Sequence, residues 1–170
     1  MIRTGALTLP AGAPPTLSVS HVAEVHPEAG ASEVVRHCMV NDFGVSVNSL
    51  LVEGQAHGGI VQGISQCFLE HVVYDDNGQP LTGSYMDYAL PRANDAPFFT
   101  FASYPAPAKT NLVGSKGCGE AGGAGALPSV MNALVDALSA YRIRHIDMPA
   151  TPLRVWEAIY ASTRAEAETR

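Results

Sequence analysis

The residues best suited to chemistry lie in one run, Ser115-Lys-Gly-Cys-Gly-Glu-Ala-Gly-Gly-Ala-Gly-Ala126. Six glycines (Gly114, Gly117, Gly119, Gly122, Gly123, Gly125) surround one carboxylate, Glu120, and one cation, Lys116. Glycine lets backbone N–H groups come close to a ligand, so such a run suits wrapping an anionic group. The apolar spacing predicts a helix from Pro128, which would lead the run to a helix N-terminus. Glu120, set among glycine and alanine, is a candidate general base.

Other chemistries fit the run less well. Gly117-Cys-Gly-Glu-Ala-Gly122 matches the dinucleotide fingerprint in letters, but Pro107–Gly114 does not read as a buried strand and no long βαβ unit follows. A Walker-type phosphate loop would end on its lysine, whereas Lys116 precedes these glycines. Cys118 has no histidine between His71 and His145 to activate it as a nucleophile. Many loop glutamates are simply solvated. Glu120 differs in having little side-chain bulk around it, and its nearest acids, Asp95 and Asp136, are too distant in sequence for a paired-carboxylate design.

A second segment, Gln55-Ala-His-Gly-Gly-Ile-Val-Gln-Gly63, places Gln55 and Gln62 two helical turns apart on one face. A glutamine amide both donates and accepts, which suits an oxo group or a heterocycle edge; polar helix surface is the equal alternative. His57 has no His or Cys at i+3 or i+4 and makes no metal pair.

These segments need a scaffold. Residues 1–16 read as an irregular, Pro/Gly/Ala-rich lead-in. Alternation over Leu17–Val25 predicts a strand, His26–Gly30 a turn, and Glu33–Val40 the return strand, with Asn41-Asp-Phe-Gly44 closing its far end. A helix is expected within Leu51–Tyr74, where Ile60, Ile64, Phe68 and Val72 recur every fourth residue. Its interior glycines (Gly54, Gly58, Gly59, Gly63) each cost about 0.5–1 kcal/mol relative to alanine, which points to close packing or ligand approach. Asp75-Asp-Asn-Gly78 reads as a tight turn, and Leu81–Ala89 and Phe98–Tyr104 as extended segments. A helix over Pro128–Tyr141 carries Val130, Leu134 and Leu138 on one stripe. Thr151 and Pro152 start a last helix with Val155, Trp156 and Ile159 on its apolar face, and 163–170 reads as a frayed tail. The expected class is α+β: one domain over 17–162, a small mixed sheet with about three packed helices.

At 170 residues with 46% apolar and only 15% charged residues, the chain has a core and an unusually uncharged surface, as of a piece that buries its outside against another. A net charge of −6 without a Lys/Arg cluster argues against nucleic acid or an anionic membrane as partner. No apolar run spans a bilayer and no signal peptide is recognisable at the N-terminus. Three cysteines, with no Cys-x-x-Cys pair, speak against a disulfide framework or zinc site and for a reducing cytoplasm.

Taken in order, Asn48–Ile64, Leu81–Arg92, Asn111–Gly122 and Ile146–Trp156 resemble the C-terminal end of the large, molybdenum-binding subunit of the xanthine dehydrogenase family, which includes aldehyde oxidoreductases and aerobic carbon monoxide dehydrogenases. The resemblance runs from about Ser20 to Ala161 with motif order kept. It implies a molybdopterin-binding domain and a hydroxylase chemistry. Glu120 would take the proton of the attacking hydroxyl, and electrons would leave through iron–sulfur and flavin centres on partner chains. Gln55 would hydrogen-bond the cofactor, molybdopterin in its plain or dinucleotide form, and Lys116, Gly117 and Gly119 would line the loop beside it. The partners implied are the remaining part of the molybdenum-binding subunit, an iron–sulfur subunit, a flavin subunit and a small-molecule substrate. The metal would take no protein ligand from these motifs.

The chain departs from relatives in three places. Asn41-Asp-Phe-Gly44 and Asn48-Ser49 stand where relatives often have Asp-Asp-Cys-Gly and Asn-Pro, and Gly123-Ala-Gly125 replaces Thr-Ile-Gly, adding flexible positions beside the base. The expected role is a separately encoded or truncated C-terminal portion of a catalytic subunit. Its rival is a non-catalytic remnant or assembly module that keeps the fold without binding cofactor alone.

Overall fold

A computed structural model describes residues 2–3 and 17–168. Most of the predicted lead-in, residues 4–16, lies outside the described residues. Ile2–Arg3 (β1) is not irregular: it pairs antiparallel with Val25 and Glu24 of β2 (Leu17–His26). The predicted hairpin forms between β2 and β3 (Ala31–Asn41), closed by a turn in which Ala29 and Gly30 N–H both donate to the His26 carbonyl. β4 (Phe99–Ser103) adds parallel to β3, so the four-stranded sheet, ordered β1-β2-β3-β4, is mixed as expected.

One irregularity sets which β3 side chains enter the core. Val22 pairs with Arg36 but Ala23 pairs with Val34, leaving Val35 as a bulge residue. The extra residue switches the inward set from His37, Met39 and Asn41 to Val34, and Val35 is turned outward.

The parallel β3–β4 pair requires a crossover, and α1 (Ser49–Phe68) provides it. Asn48 is its N-cap, accepting from the Leu51 N–H at 3.2 Å, so Ser49 occupies the first helical position. Proline and serine are both tolerated there, and the Asn-Pro to Asn-Ser departure leaves the cap intact. The helix stops at Phe68, so of the expected stripe Ile60, Ile64 and Phe68 are buried in it together with Cys67, while Val72 lies beyond the helix and is exposed. The Asp75–Gly78 turn forms as read, with the Asp75 side chain accepting from Asn77 and Gln79 N–H. Leu81–Ala89 is not extended. Ser84 accepts from the Met86 N–H and donates to Asp87, and local turns of this kind compete with strand pairing.

The largest difference concerns the glycine run. Helix α2 spans Ala121–Ala137 and continues as a 3-10 turn over Leu138–Tyr141, so it starts seven residues before Pro128, inside the run. Glycine is a poor helix former, but here it is the residue that lets two helices touch. A Cβ on Gly122 would sit 2.3 Å from the Ala56 carbonyl oxygen, and one on Gly59 would sit 2.8 Å from the Gly123 nitrogen. The backbones of α1 and α2 therefore meet directly, and this packing overrides local propensity. Gly123 and Gly125 are helical, so they are not the flexible positions expected beside the base. Pro128 has no N–H to donate to the Ala124 carbonyl, and Ala124 is an exposed residue of the helix.

α2 contacts both β2 and α1, and α3 (Pro152–Glu168) packs on β3 and the 3-10 turn. Val25, Met39, Ile60, Ile64, Val130, Leu134, Leu138, Val155 and Ile159 form one core across these elements. Thr151 precedes α3 as predicted, its carbonyl accepting from Val155 N–H. Trp156 is not in the core; it is partly exposed and stacks on Tyr160. The tail expected to fray remains helical to Glu168, with an Arg164–Glu168 pair one turn apart.

Candidate molybdopterin site

The loop 114–120 is held at both ends. At its start, Gly114 O accepts from Val45 and Ala108 N–H, Lys116 N–H donates to the Phe43 carbonyl, and Ser115 Oγ donates to the Val45 carbonyl at 2.8 Å. Asn111 folds back over this turn: its Oδ1 accepts from Gly114 and Ser115 N–H, and its Nδ2 donates to the Ser115 carbonyl. Gly44 has φ +62°, and a Cβ there would lie 2.2 Å from the Gly114 oxygen, so only glycine allows this close docking.

Asp42, which sequence reasoning passed over, is the organising side chain here. Oδ1 accepts from Gly44 and Ala106 N–H, both at 2.9 Å, and Oδ2 accepts from Lys116 Nζ. The Lys116 hydrogen bond, with those two amides, pulls the Asp42 carboxyl down to about 2. The signal is its place in Asn41-Asp-Phe-Gly44, which the sequence marks only as the far end of the hairpin. Lys116 keeps its place in the loop, but its ammonium is engaged with Asp42.

At the loop's other end, Gln55 Nε2 on α1 donates to the Gly119 carbonyl at 2.8 Å. The structure thus brings together Gln55, Gly119 and Glu120 from segments more than sixty residues apart. Gln62, on the same helix, is exposed and is not brought to this loop by any hydrogen bond among the described residues. Glu120 is the N-cap residue of α2, yet its side chain makes no capping bond, so the exposed carboxylate is left to groups outside the helix.

The fit to a cofactor can be judged from the glycines. A Cβ on Gly117 or Gly119 would meet nothing within 4 Å, so nothing packed against them in this chain requires glycine. Among the described residues neither N–H has an acceptor. Open space, unpaired amides, a glutamine amide and an unengaged carboxylate make a wall that an external polar group could approach. Among the described residues no group of three His, Cys, Asp or Glu could hold a metal, and no helix is long and apolar enough to cross a membrane.

A profile of the family described as "Molybdopterin cofactor-binding domain" matches residues 11–97, half of the chain. The chain belongs to that family. Pairwise similarity covers more of it. The nicotine 6-hydroxylase large subunit of Paenarthrobacter nicotinovorans is 37% identical over 137 residues, 81% of this chain and 17% of that protein. The carbon monoxide dehydrogenase large chain of Hydrogenophaga pseudoflava is 31% identical over 138 residues, again 81% and 17%. Among solved structures, quinoline 2-oxidoreductase from Pseudomonas putida 86 superposes with a TM-score of 0.80 at 34% identity, covering 85% of this chain and 18% of that one. A Cu,Mo-CO dehydrogenase gives a TM-score of 0.83 at 27% identity over 86% of this chain and 18% of that one. The chain thus spans less than a fifth of the relatives it matches. The expected fold, an α+β piece of a molybdopterin-binding domain, is the observed one.

Proposed function

We propose that this chain supplies the base and one wall of the cofactor site of a molybdenum hydroxylase, in a site completed by the remaining part of the molybdenum-binding subunit. The hydrogen bond from Gln55 to Gly119 carries the reading, because it sets a side-chain amide beside the loop that presents Glu120. The molybdenum carried by molybdopterin, plain or as a dinucleotide, would supply the transferable oxygen and accept two electrons from the substrate. Gln55 has amide valence left to hold it, and a Cβ on Gly117 or Gly119 would meet nothing within 4 Å, which leaves room for it beside the loop. Glu120 receives the proton of the attacking hydroxyl at its carboxylate, and its place at the start of α2 fixes the backbone from which that carboxylate projects.

The surroundings of the site support a covering partner. Val47, Leu50 and Leu51 before and in the first turn of α1, and Leu112 and Val113 before the loop, are all exposed, with Leu112 fully so. Such an apolar rim fits burial against protein, which would also exclude water from the base. Iron–sulfur and flavin groups are assigned to partner chains. The three cysteines are free thiols, in keeping with a cytoplasmic setting.

The test is Glu120→Gln in the chain assembled with the polypeptide that completes the site. Molybdenum content should stay at the wild-type level while turnover falls by about 10²–10⁴-fold. Wild-type turnover in that variant would sink the assignment. A second reading, a remnant or assembly module without catalysis, draws support from the low share of charged residues, 15%. Molybdopterin retained by the purified chain alone would exclude it.

A further inference from the structure

Asp42 directly follows β3, yet its side chain is only 6% exposed and bonds to three separate segments. It receives its own strand's continuation through Gly44 N–H, the chain leaving β4 through Ala106 N–H, and the glycine loop through the Lys116 ammonium. Each bond ends on a different part of the chain, and together they fix the start of the loop whose far end carries Gly119 and Glu120. We infer that Asp42 is a positioning residue for the base, acting through Lys116, and that the Lys116 side chain is a tether for the loop and not an electrostatic contact to the cofactor. This rests on the reading of Glu120 as the base.

Three observations carry it. The Lys116 ammonium already has a carboxylate partner, so little of its field is left for an anionic ligand. The Asp42 carboxylate holds its charge through one cation and two backbone amides, an arrangement that a neutral side chain would reproduce only in part. Finally, the stretch between the fixed ends is short: Lys116 N–H is held by Phe43 O, the Cys118 carbonyl by Ala121 N–H at 3.4 Å and the Gly119 carbonyl by Gln55, leaving Gly117 as the free span. A shift of Lys116 on loss of its side-chain tether to Asp42 is therefore transmitted to Glu120 with little slack.

The experiment compares Asp42→Asn, Lys116→Met and Lys116→Arg by hydrogen–deuterium exchange of the full chain and by kinetics of the assembled, molybdenum-loaded complex. Asn keeps an acceptor for Gly44 and Ala106 but removes the charge, and Arg restores the tether. Peptides covering 114–120 should exchange about tenfold faster in Asp42→Asn and Lys116→Met, with β2–β3 peptides unchanged, and Lys116→Arg should return to wild-type exchange. In the complex the first two should lower kcat by about a hundredfold with KM and molybdenum content kept, and Lys116→Arg should recover most of it. Unchanged exchange at 114–120 in Lys116→Met overturns the proposal, and that readout holds even where Asp42→Asn does not fold. Loss of molybdenum in Lys116→Met but not in Asp42→Asn also overturns it, because it makes Lys116 a cofactor contact. The exchange arm needs no activity, so failure of Glu120 as the base, read from Glu120→Gln, is scored separately from failure of the tether.

Discussion

Gln55 and Gly119, sixty-four residues apart, are joined by a 2.8 Å hydrogen bond from the Gln55 amide to the Gly119 carbonyl. The bond crosses from α1 to the turn before α2, and it makes the glutamine part of the same unit as the carboxylate next to Gly119. Both groups are exposed, so water can replace the bond thermodynamically but cannot replace its direction.

Gln55→Ala should therefore cost less than about 1 kcal/mol of folding stability, read from urea unfolding. In the assembled complex it should lower turnover by about 10- to 100-fold, through loss of orientation at the loop. A variant with normal molybdenum content and wild-type turnover would take Gln55 out of the site.

The glycines of α1 and α2 should divide into two classes. Gly122→Ala places its Cβ against the Ala56 carbonyl, a backbone atom that cannot step aside, and should destabilise by about 1–3 kcal/mol or more. Gly58→Ala faces open space in a helix interior and should stabilise the isolated chain by about 0.5–1 kcal/mol. Equal effects in a denaturant series would contradict the close helix crossing.

His37 is fully buried beside Phe99, and burial holds its pKa down at about 4, from 6.5. The folded state binds its proton less readily than the unfolded state does. Stability is thus complete above pH 6.5 and falls as the pH drops from there towards 4, by about 3 kcal/mol in all. Asp42, depressed to about 2, loses its contribution only as the pH falls from about 4 towards 2. Thermal melts between pH 7 and 4.5 isolate His37, and His37→Gln should flatten that part of the curve.

Cys67 should resist alkylation in the native chain at pH 8. It is fully buried, and burial pushes its thiol up to about 12. Cys38 and Cys118 are only partly buried, so peptide mapping after brief iodoacetamide treatment should find label on these two and none on Cys67. Label on Cys67 before unfolding would mean that the α1 C-terminus opens.

Local pattern was enough wherever a single element carried its own signal. The β2–β3 hairpin, the Asp75–Gly78 turn, the α1 stripe at Ile60 and Ile64 and the Thr151–Pro152 start of α3 were all readable. The start of α2 was not, because a run of glycines reads as loop until a second helix arrives to pack on it. Trp156 was misread for a related reason: helical spacing shows that a face is apolar but not how far the core extends over it.

For the site, residue types and order alone determined the loop, its candidate base Glu120, the amide Gln55 and the family they belong to. Those properties are local, or are matched segment by segment. Only the tertiary structure decided that Gly122 and Gly59 bring two helices into backbone contact, that Gln55 reaches Gly119, and that Asp42 holds Lys116. A hydrogen bond or a helix crossing between residues more than sixty positions apart leaves no trace in the spacing of either partner. It exists because the shared core draws both segments together.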